Sequence, residues 1–312
     1  MSKVVVIGAG NVGATASQYI VDRQLADVVL IDIVEGLPQG KALDLLQAGS
    51  PSNHDCSIIG TNNYVDTKDA DIVVMTAGIA RKPGMSRDDL LKTNANIVQS
   101  SIKEAHKYSP NAIFVVVTNP LDVMTQLVLK TTKLPSQRVI GMAGVLDSAR
   151  FETFIAMELK VSVKDVRAMV LGGHGDLMVP VTSLASVAGI PLLNLIDKDT
   201  LTKLIKRTQD GGAEIVSLLK TGSAFYAPGA SVAFMVEALL RDQNRLMAAS
   251  VCPNGEYGLK DLYIGLPCIL GANGVKKIVE LELADNEMAD LKKSATAIKE
   301  TVNKMNELLV AV

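Results

Sequence analysis

This chain of 312 residues is short of cysteine, of net charge and of long apolar runs, and each shortage excludes a class of protein. Its three cysteines, Cys56, Cys252 and Cys268, lie far apart and show no Cys-x-x-Cys spacing. That excludes a disulfide scaffold and a structural zinc site, and it suits a reducing compartment. The formal net charge is −2, with 31 Lys and Arg against 33 Asp and Glu. So small a balance advertises neither nucleic acid nor an anionic membrane. The one basic cluster, Lys203-Leu204-Ile205-Lys206-Arg207, reads as the wet face of a helix. No apolar stretch reaches the roughly 18 residues of a membrane helix. An apolar run that starts at Lys3 or Val4 leaves no room for a signal peptide, so the expected location is cytoplasmic. Low-complexity segments and short repeats are also missing.

What is present looks globular. Apolar residues make up 48% and charged residues 21%, ordinary values for a folded protein, and the length suits about two domains. In the first half, Val4-Val5-Val6-Ile7, Val28-Val29-Leu30-Ile31, Ile72-Val73-Val74-Met75 and Ile113-Phe114-Val115-Val116-Val117 are short, continuous and rich in β-branched residues. Such runs indicate strands covered on both faces, as in a parallel sheet. Helix-length segments lie between them, including Gly13 to Gln24 and Ala95 to Tyr108. The alternation predicts a doubly wound α/β domain over residues 1–145. A mixed α+β domain is expected over 146–312, with the boundary near 143–147. There, strands are predicted at Val166 to Leu171 and Met178 to Val187, and helices near Thr200 to Leu219, Ser231 to Arg245 and Asn286 to Leu309. In the last helix, Met288, Leu291, Ala295, Ile298, Val302, Met305 and Leu309 fall on one face, which suits packing on its own domain.

Gly8-Ala9-Gly10-Asn11-Val12-Gly13 follows the first apolar run and opens a helix-like segment. A lone GxGxxG is weak, but this one has the strand before it and the helix after it. Gly8 suits a tight turn, Gly10 lets a pyrophosphate approach the backbone, and Gly13 lets helix and strand pack closely. The helix N-terminus offers N–H groups to phosphates. Asp32 ends the second run, 22 residues after Gly10. A carboxylate there accepts hydrogen bonds from ribose hydroxyls and repels a 2′-phosphate, which favours NAD over NADP. The pattern is that of a Rossmann-type dinucleotide-binding domain. Thr118-Asn119-Pro120 follows the run Ile113 to Val117, at a strand end where ligands of such sheets bind, although Asn-Pro is also a common turn.

Three histidines are available as proton carriers. His54 lies in a polar stretch and His106 in a charged helix, and both read as bystanders. His174 stands in Gly172-Gly173-His174-Gly175-Asp176, directly after a predicted strand, where flanking glycines leave the imidazole accessible. Asp147 and Arg150 are three residues apart and share a helix face, so one could orient an imidazole while the other grips a carboxylate. An ordinary helix cap and a surface arginine would give the same letters. Arg81 and Arg87 lie in Gly78-Ile79-Ala80-Arg81-Lys82-Pro83-Gly84-Met85-Ser86-Arg87, either a solvated turn or a loop that closes over a small anion.

In this order, these motifs resemble the lactate/malate dehydrogenases over essentially the whole chain. The segment from Arg81 to Arg87 is similar to the lactate-dehydrogenase-like branch of malate dehydrogenases, whose loop also reads Arg-Lys-Pro-Gly-Met-Ser-Arg. Lactate enzymes usually carry glutamine where Arg81 stands, and threonine where Ala224 stands. The resemblance implies that His174 accepts the hydroxyl proton of malate and that Asp147 holds the imidazole tautomer. It implies that Arg150 binds the C1 carboxylate, that Arg87 polarises the C2 oxygen, and that Asn119 binds near the reacting oxygen. Asn94 and the Val117-Thr118-Asn119 backbone would lie along NAD, beside the Gly8 to Gly13 turn and Asp32. It also implies a homodimer or a homotetramer built as a dimer of dimers.

Charge separates the two substrates. Arg81, Arg87, Arg150, Asp147 and the nicotinamide ring leave a net formal charge of about +1 with malate dianion bound and about +2 with lactate, in a site whose closed interior tolerates little imbalance. Arg81 is therefore expected to read the distal carboxylate. A lactate or other 2-hydroxyacid dehydrogenase is the alternative enzyme. A nucleotide-binding protein without catalysis, and an NAD-dependent glycosidase needing a metal, fit less well, since His174, Asp147 and Arg150 are all present and no Cys/His cluster is visible.

Overall fold

Period-two alternation divides each apolar run between two buried faces. The computed structural model describes residues 1–79 and 84–310. Strands β1 (Lys3–Ile7), β2 (Asp27–Ile31), β3 (Ile58–Thr61), β4 (Ile72–Met75), β5 (Ile113–Val116) and β6 (Val139–Gly141) are parallel, in the order β3-β2-β1-β4-β5-β6. Val4 and Val6 of β1 enter one apolar cluster, while Val5 and Ile7 enter another on the opposite face. β2, β4 and β5 divide in the same way, which is why their sequences are apolar throughout. Each fully buried Val or Ile contributes roughly 1.5–3 kcal/mol.

Helices cover both faces. α1 (Asn11–Asp22) brings Ala16, Ile20 and Val21 to the first cluster. α2 (Leu37–Gln47) and the single turn α3 (Gly49–Ser52) follow β2. α4 (Arg87–Tyr108) brings Leu91, Ala95, Val98, Ile102 and Ala105 to the second cluster, at the spacing of one helix face. α5 (Leu121–Thr132) joins it there through Val123, Met124, Leu127 and Val128. α4 begins eight residues before the expected Ala95, because Ser86 and Asp89 form a capping box that the hydrophobic pattern does not reveal.

Beyond α6 (Gly144–Leu159) the strands become antiparallel. β7 (Val166–Gly172) pairs with β8 (Met178–Val187), which pairs with the short β9 (Ile190–Pro191). After α7 (Lys198–Leu219) and α8 (Tyr226–Leu240) come β10 (Arg245–Val251), β11 (Ile264–Gly271) and β12 (Gly274–Ile278). β10 meets β6 at Ser250 and Gly141, and β11 meets β7, so one sheet of 12 strands runs through the molecule. The helix expected from Ser231 to Arg245 is shifted: α8 starts at Tyr226, and Arg245 opens β10. Pro228 sits in the first turn of α8, where a missing N–H costs nothing.

The last helix, α9 (Asp285–Val310), buries Leu291, Ala295, Ile298 and Met305 as its pattern required. Lys203 and Lys206 are exposed on α7, with Lys206 paired to Asp210 and Arg207 to Glu214, as a wet face should be. Among the described residues no helix is long and apolar enough to cross a membrane, and the three cysteines are free thiols.

Candidate active site

The glycine turn after β1 leaves no room for a side chain at Gly8 or Gly13. Gly8 has φ +102°, and a Cβ on Gly13 would stand 1.9 Å from the carbonyl oxygen of Gly8. A Cβ on Gly10 would meet nothing within 4 Å, so that position faces open space. Gly10 caps α1 without a side-chain acceptor, and the first turn, with Asn11 and Val12, carries no acid. Its free N–H groups and positive end are thus available to an anion. Asp32 follows β2 and reaches the same turn: one carboxylate oxygen accepts from Ala9 N–H at 2.7 Å and the other from Val34 N–H at 3.0 Å. These residues fit a dinucleotide with its pyrophosphate over Gly10.

Two further segments meet at the carboxyl edges of β4 and β5. Val117 N–H donates to Met75 O, and the Thr118 hydroxyl donates to Ala77 O at 2.7 Å. Asn119 follows, exposed. Asn94, expected beside the cofactor, is buried on α4, and its side chain is spent on the protein. Its Oδ1 accepts from Ile79 N–H at 2.8 Å, and its Nδ2 donates to Ile79 O at 3.2 Å and Asn119 O at 2.8 Å. Asn94 therefore ties the start of the arginine-bearing loop to the Asn119 turn. Arg87 is the first residue of α4 and is exposed. Arg81 lies outside the described residues.

The structure brings together the three residues expected to act on a proton and a carboxylate. His174 stands in the turn between β7 and β8, after Gly172 at φ +78°, and its side chain is 18% exposed. Its Nδ1 lies 2.8 Å from Asp147 Oδ2. A carboxylate only accepts, so Nδ1 carries the proton and Nε2 is left to exchange one. Asp147 is 2% exposed on the first turn of α6. Its other oxygen accepts from Arg150 Nη1 at 3.1 Å. The Arg150 side chain runs beside Gly211 of α7, where a Cβ would stand 3.3 Å from its Cδ. Its Nε is buried without a partner among the described residues.

Burial disfavours the charged imidazole of His174, but the Asp147 carboxylate beside it outweighs this and holds the pKa above the ordinary 6.5. The other two histidines are placed differently. His54 is buried with neither ring nitrogen bonded among the described residues, which its polar neighbours do not suggest. His106 packs edge-on against Phe114 at 6.1 Å, and burial lowers its pKa.

Two polar contacts of the histidine turn, and a third that continues from one of them, have no signal in the sequence. Asp122, in the first turn of α5, accepts from the backbone N–H of His174 at 3.0 Å and contacts the Ser250 hydroxyl at 2.6 Å. Ser294 of α9 accepts from Gly173 N–H at 2.8 Å. The partners are 52, 128 and 121 residues apart, and no local pattern joins such positions.

Family models for the NAD binding domain and for the alpha/beta C-terminal domain of lactate/malate dehydrogenases match residues 2–141 and 144–309. A malate dehydrogenase from Trichormus variabilis is 57% identical over 304 residues, covering 97% of this chain and 94% of that one. Among solved structures, apo malate dehydrogenase from Picrophilus torridus is 44% identical with a TM-score of 0.96, covering 99% of each chain. The lactate dehydrogenase of Cryptosporidium parvum, in complex with lactic acid and NAD, is 41% identical with a TM-score of 0.94, covering 98% of each chain. The shared fold thus carries both activities, and substrate has to be argued from side chains. A nucleotide cradle, an acid-held histidine with an arginine beside it, and matches spanning nearly every residue place this chain in the lactate/malate dehydrogenase family.

Proposed function

We propose that the protein is an NAD-dependent malate dehydrogenase, interconverting (S)-malate and oxaloacetate. The observation that carries the reading is the Arg150–Asp147–His174 chain, closed at 3.1 and 2.8 Å. NAD⁺, when bound, accepts the hydride released from C2 of malate. Gly8, Ala9, Gly10, Asn11, Val12 and Gly13 would hold its pyrophosphate and Asp32 its ribose, with Asn94, Val117, Thr118 and Asn119 shaping the nicotinamide end.

His174 takes the hydroxyl proton at Nε2, and Asp147 keeps the proton on Nδ1 and stabilises the imidazolium that results. Arg150 grips the C1 carboxylate; a substrate oxygen there would also supply the acceptor its buried Nε lacks. Arg87 draws on the C2 oxygen as charge develops, and Asn119 bonds near it. Arg81 pairs with the distal carboxylate. The Arg81 to Arg87 sequence and the names of relatives above half identity support the dicarboxylate over lactate.

An unpaired charge in a closed site costs roughly 2–5 kcal/mol. Oxaloacetate should therefore exceed pyruvate by at least about a hundredfold in kcat/KM. Steady-state oxidation of NADH with each keto acid measures this, and comparable values would refute the dicarboxylate assignment.

The division at residue 145, an NAD-binding domain before it and a catalytic domain after it, belongs to the same reading. It is supported by the two family models meeting between 141 and 144. So does self-association as a homodimer or homotetramer in the cytoplasm. α2 exposes Leu43 and Leu46, and an apolar cleft of about 710 Å³ opens between α6 and α8, lined by Val145, Ala149, Ala230 and Phe234. Both surfaces suit a second copy. Sedimentation velocity of the full chain should show a dimer or tetramer, and a monomer would remove this part of the proposal.

A further inference from the structure

Another cavity, of about 490 Å³, opens at the amino ends of the parallel strands. Ser2 before β1, Asp71 before β4, Ile113 of β5 and Arg138 before β6 line it, with Leu240 of α8 and Ala272 of the β11–β12 turn. The glycine turn lies at the other end of β1, roughly 15 Å away along a five-residue strand. No residue assigned above to NAD or malate lines this cavity.

Arg138 is the cation without an answer. It is half-buried, and its Nε is buried with no acceptor among the described residues. A guanidinium drawn partly out of water needs an oxygen in the plane of its N–H groups. The chain also fixes its backbone. A Cβ on Gly274 would stand 1.9 Å from the carbonyl oxygen of Gln137, so the β11–β12 hairpin presses directly on the turn before β6. The Tyr263 hydroxyl donates to Ser136 O at 3.2 Å in the same turn.

The polar groups nearby are spent on other partners. Asp71 accepts from Lys3 N–H at 2.8 Å, Asp69 lies 4.0 Å from Lys68 Nζ, and Asp242 pairs with Lys276 at 2.6 Å. The Ser109 hydroxyl accepts from Ala70 N–H and donates to Thr67 O. Asp71 uses one carboxylate oxygen in this way and keeps the other for a further donor. The lining thus offers one guanidinium to an oxyanion and carboxylate oxygens to ligand N–H or O–H groups, in a volume suited to a small molecule. Acids in the same wall disfavour a polyanion. We propose that this cavity binds a small organic oxyanion, a carboxylate or monophosphate, that also carries hydroxyl or ammonium hydrogens: Arg138 grips the anionic group and Asp71 accepts from the donors.

Thermal melting of the full chain, saturated with NADH to fill the glycine turn, tests this. The probes are acetate, L-serine and glycerol 3-phosphate, each at about 20 mM and compared with sodium chloride of equal ionic strength. L-serine or glycerol 3-phosphate should raise Tm by about 2 °C over chloride, and the one that raises it more tells an amino acid from a hydroxylated phosphate. Acetate, which has the charge without the donors, should raise it less. Arg150→Gln, which disables anion binding in the active site, should keep the rise. Arg138→Gln should lose most of it while kcat/KM for malate stays within about twofold of wild type. A rise that survives in Arg138→Gln or vanishes in Arg150→Gln would place the binding elsewhere, and no rise with any probe would remove the site. An acetate rise equal to the others would overturn the part given to Asp71. If Arg138→Gln does not fold, Arg138→Lys decides: it keeps the charge but lacks Nε and the planar fork, so its rise should shrink, and a rise of wild-type size would overturn the proposal.

Discussion

Replacing His174 with asparagine should lower kcat for oxaloacetate reduction by about 10²–10⁴-fold and leave NADH affinity nearly unchanged. The size follows from the geometry. His174 is the imidazole held by a buried carboxylate, and its Nε2 side is the part that remains to exchange a proton. Asparagine can replace one hydrogen bond to Asp147 but cannot carry a proton between substrate and solvent near neutral pH. The nucleotide cradle is built from Gly8 to Gly13 and Asp32, and none of these hydrogen-bonds His174. Binding and chemistry should separate accordingly. Fluorescence titration with NADH and single-turnover kinetics measure the two halves. Turnover within tenfold of wild type would place the proton carrier elsewhere.

Asp147→Asn should be nearly as damaging, about 10³–10⁴-fold in malate oxidation, although it removes a single charge. An asparagine amide can donate to Nδ1, which would put the ring proton on Nε2, where malate must deliver its own. The same change removes the anion that raises the His174 pKa and leaves Arg150 Nη1 bonded to a neutral oxygen in place of a charged one. Both losses act on one chain of contacts, so a double variant with His174→Asn should be little worse than either single variant. Additive losses would mean that the two residues do separate work.

Much of this was legible in the sequence where the signal is local. Gly8, Gly10 and Gly13 fall within six consecutive residues, and each has its reason in one turn. Asp147 and Arg150 share a helix face by spacing alone, and the glycines around His174 announce an unusual turn after a strand. The β-branched runs revealed the parallel sheet because burial on both faces leaves no polar positions. The sequence was silent where distant segments meet. Asp122 and Ser250 are an ordinary first-turn acid and an ordinary serine until the fold sets them 2.6 Å apart. Asn94 is an ordinary helix asparagine until the fold sets its amide hydrogens against the carbonyls of Ile79 and Asn119. β11 and β12 lack a continuous apolar run because Gly265 and Pro267 interrupt one and Lys276 and Lys277 the other, and the start of α8 is hidden because its first turn holds a proline and a glycine.

The central claim is that Asp147 and His174 together exchange the substrate proton. Its most direct test is kcat/KM for malate oxidation across about pH 5 to 9, in wild type and in Asp147→Asn. Malate needs a neutral imidazole, so the wild-type value should rise with pH and level off above a midpoint higher than 6.5, the direction in which Asp147 moves His174. In Asp147→Asn the plateau should fall by about 10³-fold or more and the midpoint should move to lower pH. A variant profile with the wild-type midpoint and a plateau within tenfold would contradict the account.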